Sequence, residues 1–359
     1  MTTPDDARFM ARAIELARLA PFTAPNPRVG AVVVKQGEIV GEGSHRGAGT
    51  PHAEADALEG ADAAGGTLYV NLEPCNHEGR TPACAPAIVA AGVARVVAAI
   101  EDPDPRVRGS GLAHLRANGV EVATGVLADE ARRLNEAFLH RAGTGRTMLS
   151  LKLALSLDGR LAAADGSARW ITGPETRRHV HARRLEADAV MVGAGTIVAD
   201  DPLLTVRDVE APRQPARIVV DARGRAPAAA RVFEREGTIV VTTEAATHEV
   251  RTCWKEAGAE VVTLAASPEG VDLSGLQGLF ASRGWTEVLC EGGAGLARSL
   301  LREGLVDRLE VHYGPMLLGG GPSLTDLGVS AMAEARLWRT VEVRRSGDDA
   351  LVTLLRTED

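Results

Sequence analysis

Residues 67–92 read Thr67-Leu-Tyr-Val-Asn-Leu72-Glu-Pro74-Cys75-Asn-His77-Glu-Gly-Arg80-Thr-Pro-Ala-Cys84-Ala-Pro-Ala-Ile-Val-Ala-Ala91-Gly92. An apolar run of strand formers ends at Glu73-Pro74, a polar loop follows, and Cys84 to Ala91 has the composition of a helix that Gly92 stops. A buried strand at Val93 to Ile100 comes next. Strand, loop, helix and strand in alternation predict a layered α/β domain. Upstream, Asp6 to Leu19 carries Met10, Ala13, Ile14 and Ala17 on one helical face, and Pro21 stops it. Val29 to Val34 and Glu38 to Gly41 read as a hairpin around Gln36-Gly37, and a helix follows Pro51. Downstream, the expected elements are a short helix at Leu112 to Ala117, a strand at Val120 to Thr124 and a helix at Asp129 to His140.

The run Arg141 to Thr147 is small and polar and marks a domain boundary, dividing the chain into 1–145 and 146–359. A chain of 359 residues fits about two domains. The second series has strands at Met148 to Leu155, Ala189 to Gly193, Arg217 to Asp221, Thr238 to Thr243, Glu260 to Thr263, Glu287 to Cys290, Arg308 to Tyr313, Val341 to Arg344 and Leu351 to Leu355. Its helices are expected at Glu175 to Glu186, Glu249 to Ala257 and Gly295 to Glu303. The formal net charge of −8 argues against a broad nucleic-acid-binding face. No apolar run reaches the ~18 residues of a membrane span, and the N-terminal residues show no secretory pattern, so the expected location is the cytoplasm. In that setting four cysteines do not form a disulfide framework.

The chemistry concentrates at His52-Ala53-Glu54, Pro74-Cys75 and Cys84. One imidazole and two thiolates suit zinc, and three protein ligands leave a fourth position for water, whose pKa the ion lowers toward neutrality. Glu54 stands two residues from the histidine and is expected to shuttle a proton to a departing amine rather than to bind metal. Helix starts after Pro51 and at Cys84 favour thiolate at the cysteines. A structural site normally closes with a fourth protein ligand; His77 is the one candidate, and a substrate-facing role is preferred for it. Eight residues separate the cysteines, where related zinc deaminases have two, so the loop can reach into the pocket and bring Arg80 to a phosphate.

The second half lacks a Gly-x-Gly-x-x-Gly after its first strand. Leu289-Cys-Glu-Gly-Gly-Ala-Gly-Leu296 is instead a strand, a glycine turn and a helix start, which offers backbone N–H groups to a phosphate. Arg177, His181 and Arg184 share a helical face, and Arg207 follows the Asp200-Asp201-Pro202 turn; these are an anion clamp or a solvated basic face.

His52-Ala-Glu54 with Asn71-Leu-Glu-Pro-Cys75-Asn-His-Glu-Gly-Arg-Thr-Pro-Ala-Cys84 resembles the bifunctional riboflavin-biosynthesis deaminase–reductase family. So do Pro25-Asn-Pro-Arg-Val-Gly30, Glu101-Asp-Pro-Asp-Pro105, Leu151-Lys-Leu-Ala-Leu-Ser-Leu-Asp-Gly159, Trp170-Ile-Thr172, Ala199-Asp-Asp-Pro-Leu-Leu-Thr-Val-Arg207 and Glu291-Gly-Gly293, in the family's order. The resemblance implies a cytidine-deaminase-like α/β/α domain at 1–145 and a dihydrofolate-reductase-like α/β domain at 146–359. It implies hydrolytic deamination of a diaminopyrimidinone ribosylamine 5′-phosphate, followed by NADPH-dependent reduction of the ribosyl group to a ribityl chain. The zinc ligands would be His52, Cys75 and Cys84, with Glu54 catalytic. Asn26, His45, His77, Arg80, Ala168, Arg184, Leu204, Arg207 and Glu291 would meet substrate. Ala154, Trp170, Thr196, Asp200, Ala222 and the run Gly293, Ala294, Gly295, Leu296, Ala297, Arg298 and Ser299 would meet NADPH. A homo-oligomer, dimer or tetramer, is also implied. Departures fall at Asp104, where the family often has Asn, and at Ala168 and Ala222, where Ser is common. Two competing readings are a nucleoside or RNA deaminase with an unrelated C-terminal domain, and a non-enzymatic protein with structural zinc.

Overall fold

The structure is a computed structural model that describes residues 4–78, 81–105, 107–168, 170–324 and 327–357. The chain divides into two compact units, Met1–Arg146 and Thr147–Asp359. In the first, the order is α1 (Pro4–Arg18), β1 (Gly30–Lys35), β2 (Glu38–Ser44), α2 (Ala53–Leu58), β3 (Thr67–Val70), α3 (Cys84–Ala90), β4 (Arg95–Ala98), α4 (Ser110–Ala117), β5 (Glu121–Thr124), α5 (Ala128–Leu134) and α6 (Glu136–Thr144). The sheet runs β2-β1-β3-β4-β5, antiparallel at β2-β1-β3 and parallel beyond.

Glycines decide where the helices lie on it. Ala31 pairs with Gly43 and Val33 with Gly41, so these residues share one face. A Cβ on Gly43 would fall 2.2 Å from the Ala53 carbonyl oxygen, so α2 sits directly on the bare backbone of β2. Gly30, on the other face, meets Ala13 and Ala17 of α1 in the same way. The sheet is thus the middle of three layers, and the close seat of α2 fixes the height of His52 at its N-terminus.

The helix expected over Asp129 to His140 is two helices, broken at Asn135. The Asn135 amide accepts from the Arg28 N–H at 2.8 Å and donates to the Arg28 carbonyl at 2.9 Å, so a contact 107 positions away overrides local helix propensity. The boundary run expected at Arg141 to Thr147 is helical as far as Thr144.

The second unit comprises β6 (Met148–Ser156), α7 (Pro174–Glu186), β7 (Ala189–Gly193), α8 (Ala194–Asp200), β8 (Ala216–Val220), β9 (Thr238–Thr242), α9 (His248–Glu256), β10 (Glu260–Thr263), β11 (Ala266–Ser267), β12 (Gly270–Val271), α10 (Leu276–Ser282), β13 (Glu287–Cys290), α11 (Ala294–Arg302), β14 (Arg308–Gly314), β15 (Trp338–Ser346) and β16 (Asp349–Arg356). Its sheet has nine strands in the order β10-β9-β8-β7-β13-β6-β14-β16-β15, parallel from β10 to β14 and antiparallel at the β16-β15 end. The central strand β7, Ala189-Val-Met-Val-Gly193, is a continuous apolar run, as burial on both faces requires. Helices α8 and α10 were not expected from the sequence. Ala-Gly-Thr-Ile-Val-Ala-Asp over 194–200 mixes glycine with β-branched residues, so its helix is held by packing of Ala194 and Ile197 rather than by propensity.

Candidate active site and cofactor cleft

His52 is the N-cap of α2, Cys84 the first residue of α3, and Cys75 follows the turn after β3. The ligand atoms of these three residues all lie within 4.8 Å of one another. His52 Nδ1 is 3.3 Å from Cys84 Sγ and 3.6 Å from Cys75 Sγ. Tetrahedral zinc, with bonds of ~2.0–2.1 Å to nitrogen and ~2.3 Å to sulfur, needs about 3.5 Å between such atoms, so the donor set fits the ion. Hydrogen bonding from Cys84, opposed by burial, brings the Cys75 thiol down to about 4, and the Cys84 N–H also points at Cys75 Sγ at 3.4 Å. Glu54, in the first turn of α2, is 4% exposed, and burial pushes its carboxyl up to about 7.

Two positioning groups were missed by sequence reasoning. Glu73 is buried, and its carboxylate accepts from the backbone N–H of Asp102, Gly109, Gly111 and Leu112, tying the turn before Cys75 to the start of α4. Thr81 Oγ1 is 3.1 Å from His52 Nε2. With Nδ1 turned to the thiols, Nε2–H donates to Thr81 and fixes the tautomer. Thr81→Val is therefore expected to speed zinc loss to a chromogenic chelator about 10–100-fold, with Thr81→Ser near wild type. Equal release rates in all three proteins would show that Thr81 does not orient the histidine.

Asn26 and His45 are paired rather than separate. His45 Nδ1 donates to the Pro51 carbonyl at 3.0 Å, so Nε2 carries the lone pair and accepts from Asn26 Nδ2 at 2.9 Å. Burial lowers the His45 pKa and keeps the ring neutral. Both ring nitrogens are used within the protein, and the Asn26 amide is held with its NH₂ toward His45. His77 is exposed and outside the ligand cluster; Arg80 lies outside the described residues.

In the second unit, a cleft of about 580 Å³ opens at the C-terminal ends of the parallel strands. Of the residues expected at cofactor, Thr196, Asp200, Ala222, Gly293, Ala294, Gly295, Leu296, Arg298 and Ser299 line it, and so does Ala168, expected at substrate. Helix α11 begins at its glycine turn, so its first N–H groups face the cleft. The turns after β7 and β13 nearly touch: a Cβ on Gly293 would lie 3.1 Å from Thr196 Oγ1. Ala297 and Leu204 are buried. Ala154 is half-buried on β6 opposite His312. Trp170 is 61% exposed with the Arg177 guanidinium over its ring.

Arg184 and Glu291 form a buried two-pronged pair, Nε–Oε1 2.5 Å and Nη2–Oε2 2.9 Å, and Arg184 Nη1 donates to the Thr205 carbonyl. Lys152 is desolvated beside this pair, which lowers its pKa. Arg207 is exposed and donates its backbone N–H to His181 Nδ1. Asp158 is spent on structure, accepting from Ser156 and the N–H groups of Leu318 and Gly319. A second cluster of donor atoms, His179, Glu310 and His312, is a poor cation site. Glu310 is already paired with Arg183 and Arg308, and the charges of Lys152 and Arg344 bear on His312.

A family model described as "RibD C-terminal domain" matches residues 147–352, and one described as "Cytidine and deoxycytidylate deaminase zinc-binding region" matches 3–100. The chain is 42% identical to riboflavin biosynthesis protein RibD of Escherichia coli over 98% of this chain and 99% of the relative. It is 42% identical to RibD of Aquifex aeolicus over 97% of each. Among solved structures, Acinetobacter baumannii RibD, form 1, matches with a TM-score of 0.85 at 37% identity over 99% of both chains. A diaminohydroxyphosphoribosylaminopyrimidine deaminase/5-amino-6-(5-phosphoribosylamino)uracil reductase from Thermotoga maritima matches with a TM-score of 0.85 at 35% identity, over 98% of this chain and 99% of that one. By sequence and by structure, then, the chain belongs to the RibD family of riboflavin biosynthesis proteins and carries both a deaminase and a reductase domain.

Proposed function

We propose that residues 1–145 deaminate a small phosphorylated pyrimidine, 2,5-diamino-6-ribosylamino-4(3H)-pyrimidinone 5′-phosphate, and that residues 146–359 then reduce its ribosyl group with NADPH to give 5-amino-6-ribitylamino-uracil 5′-phosphate. The observation that carries the first step is the fit of His52, Cys75 and Cys84 to zinc with Glu54 buried beside them. Zinc, when bound, supplies a Lewis acid that acidifies water at neutral pH. Glu54 takes a proton from the attacking water and delivers it to the amine that leaves as ammonia. Asn26 orients the pyrimidine and is itself held by His45. In the second unit the glycine turn at Gly293 and the start of α11 bind cofactor phosphate. The Arg184–Glu291 pair positions the ribosyl chain, and the hydride is the cofactor's own.

Among the described residues no helix is long and apolar enough to cross a membrane. A cytoplasmic homo-oligomer is part of the same reading.

The test follows NADPH oxidation with the diamino substrate, with the already deaminated substrate, and with zinc-stripped protein. Oxidation from the diamino compound that stops on zinc removal but persists with the deaminated one supports both steps and their order. Oxidation with neither compound sinks the riboflavin reading.

His45 gives a separate prediction. His45→Ala frees the Asn26 amide to rotate and is expected to raise KM for the diamino substrate about tenfold, from one lost oriented hydrogen bond, at unchanged zinc content. His45→Gln, which can still accept from Asn26, is expected to recover part of it. A change in kcat alone would place His45 at the chemistry instead.

A further inference from the structure

We propose that Asn135 is a positioning residue of the deamination step: from the break between α5 and α6, its side-chain amide holds the segment that carries Asn26 to the substrate. The inference rests on the deaminase reading of the first unit and deepens it. Between the end of α1 at Arg18 and the start of β1 at Gly30 the chain forms neither helix nor strand. Asn26 lies in that segment between Pro25 and Pro27, which have no N–H to donate. Backbone outside regular structure must find its hydrogen bonds elsewhere, and here side chains supply them.

Two buried asparagines do most of this. Asn135 accepts from the Arg28 N–H and donates to the Arg28 carbonyl, as a neighbouring strand would. Asn71 Nδ2 donates to the same carbonyl at 2.9 Å, and its Oδ1 accepts from the Gly30 N–H at 2.8 Å. Nearer to Asn26, Thr23 Oγ1 donates to the Asn26 carbonyl at 2.8 Å, and the Asn26 N–H donates to the Thr23 carbonyl at 3.0 Å. His45, which orients the Asn26 side chain, also donates its backbone N–H to the Val29 carbonyl at 2.9 Å. His45 therefore sets the rotation of the Asn26 amide, and Asn135 with Asn71 sets where the backbone beneath it lies.

Asn135 gives up a local role to do so. It is the N-cap of α6, where an asparagine side chain normally accepts from an N–H of the first helical turn. It makes no such bond. Its amide turns instead to a residue 107 positions earlier, and it can serve both Arg28 groups because it carries an acceptor and a donor together. Serine at this position can cap α6 as asparagine does elsewhere, but its single short hydroxyl cannot span the Arg28 N–H and carbonyl. A serine variant thus separates the helix start from the hold on the Asn26 segment.

The experiment measures ammonia release from the diamino substrate by the zinc-loaded full chain, as wild type, Asn135→Ala, Asn135→Ser, Asn26→Ala and Asn26→Ala/Asn135→Ser. Both single variants at 135 are expected to raise KM roughly tenfold, the effect of a misplaced hydrogen bond to substrate. Zinc content, and the rate of reduction of the already deaminated compound, are expected to stay at wild-type level. Asn135→Ser is also expected to keep the wild-type unfolding midpoint, so a loss of fold in Asn135→Ala would leave the test standing on the serine variant. If Asn135 acts through Asn26, Asn26→Ala/Asn135→Ser should show a KM within about twofold of Asn26→Ala alone, because the second change then has nothing left to misplace. A wild-type KM in Asn135→Ser overturns the assignment and leaves Asn135 as a helix breaker. Full multiplication of the two single effects in the double variant overturns it as well, since the residue would then act independently of Asn26. A loss of zinc from Asn135→Ser also overturns it, by placing the effect at the metal ligands. A wild type that releases no ammonia removes the deaminase reading itself, and this inference with it.

Discussion

Glu54→Gln is expected to slow deamination by roughly 10²–10⁴-fold while zinc content and reduction of the already deaminated substrate stay at wild-type level. Glutamine fills the same buried space at the start of α2, so the seat of the helix on Gly43 and the position of His52 are undisturbed. What the amide removes is the ability to accept a proton from water and return it to the amine. Zinc content separates this loss from collapse of the ligand set, because His52, Cys75 and Cys84 are untouched. The reductase assay separates it from general damage, because the two chemistries are read with different substrates. If the Glu54→Gln protein deaminated at the wild-type rate, the proton would be carried by another group. A three-ligand site with Glu54 as a mere packing residue would then be the better description.

That a zinc deaminase was legible from the sequence follows from how local its parts are. His52 and Glu54 belong to one helix start, and Cys75 and Cys84 flank one loop, so the residue types and their order along the chain point to the chemistry even though the cysteine spacing is unusual. The supports of those residues were not legible, because they come from elsewhere. Glu73 acts on backbone N–H groups up to 39 positions away, and Thr81 acts on a histidine 29 positions before it. His45 and Asn26 were both picked out, yet only the fold shows that they bond to each other. The break at Asn135 is of the same kind: nothing around residue 135 announces a partner at Arg28.

In the second unit the glycine turn was readable as strand, turn and helix, and the structure opens it onto a cleft. The roles of charged residues were less readable. The family resemblance places Arg184 and Glu291 each at substrate, and they are 107 positions apart. Folding places them against each other with both side chains about 10% exposed. Asp221 shows the converse: an acid at a strand end invites a ribose contact, and the structure commits it to its own turn.

Glu291→Gln is expected to destabilise the second unit by about 3–5 kcal/mol, because it leaves the Arg184 guanidinium buried without its counter-charge. For a unit of this size that corresponds to a fall of roughly 10 °C in its unfolding midpoint. The pH dependence identifies the cause. Burial alone would raise the Glu291 carboxyl, but Arg184, with Lys152 and His181, brings it down to about 2 from an ordinary 4.5. A depressed folded-state pKa means that the stabilisation is complete above about 4.5 and is lost as pH falls toward 2. The gap between wild type and Glu291→Gln should therefore be widest near neutrality and close progressively below pH 4.5. Replacing both partners by apolar side chains, Arg184→Met/Glu291→Leu, should recover most of the stability, since no charge is then left unpaired. Reductase activity should stay lost in that double variant if the pair positions the ribosyl chain. Recovered stability together with recovered reduction would show that the pair is only a strut. A gap that did not narrow in acid would show that the loss comes from packing rather than from charge.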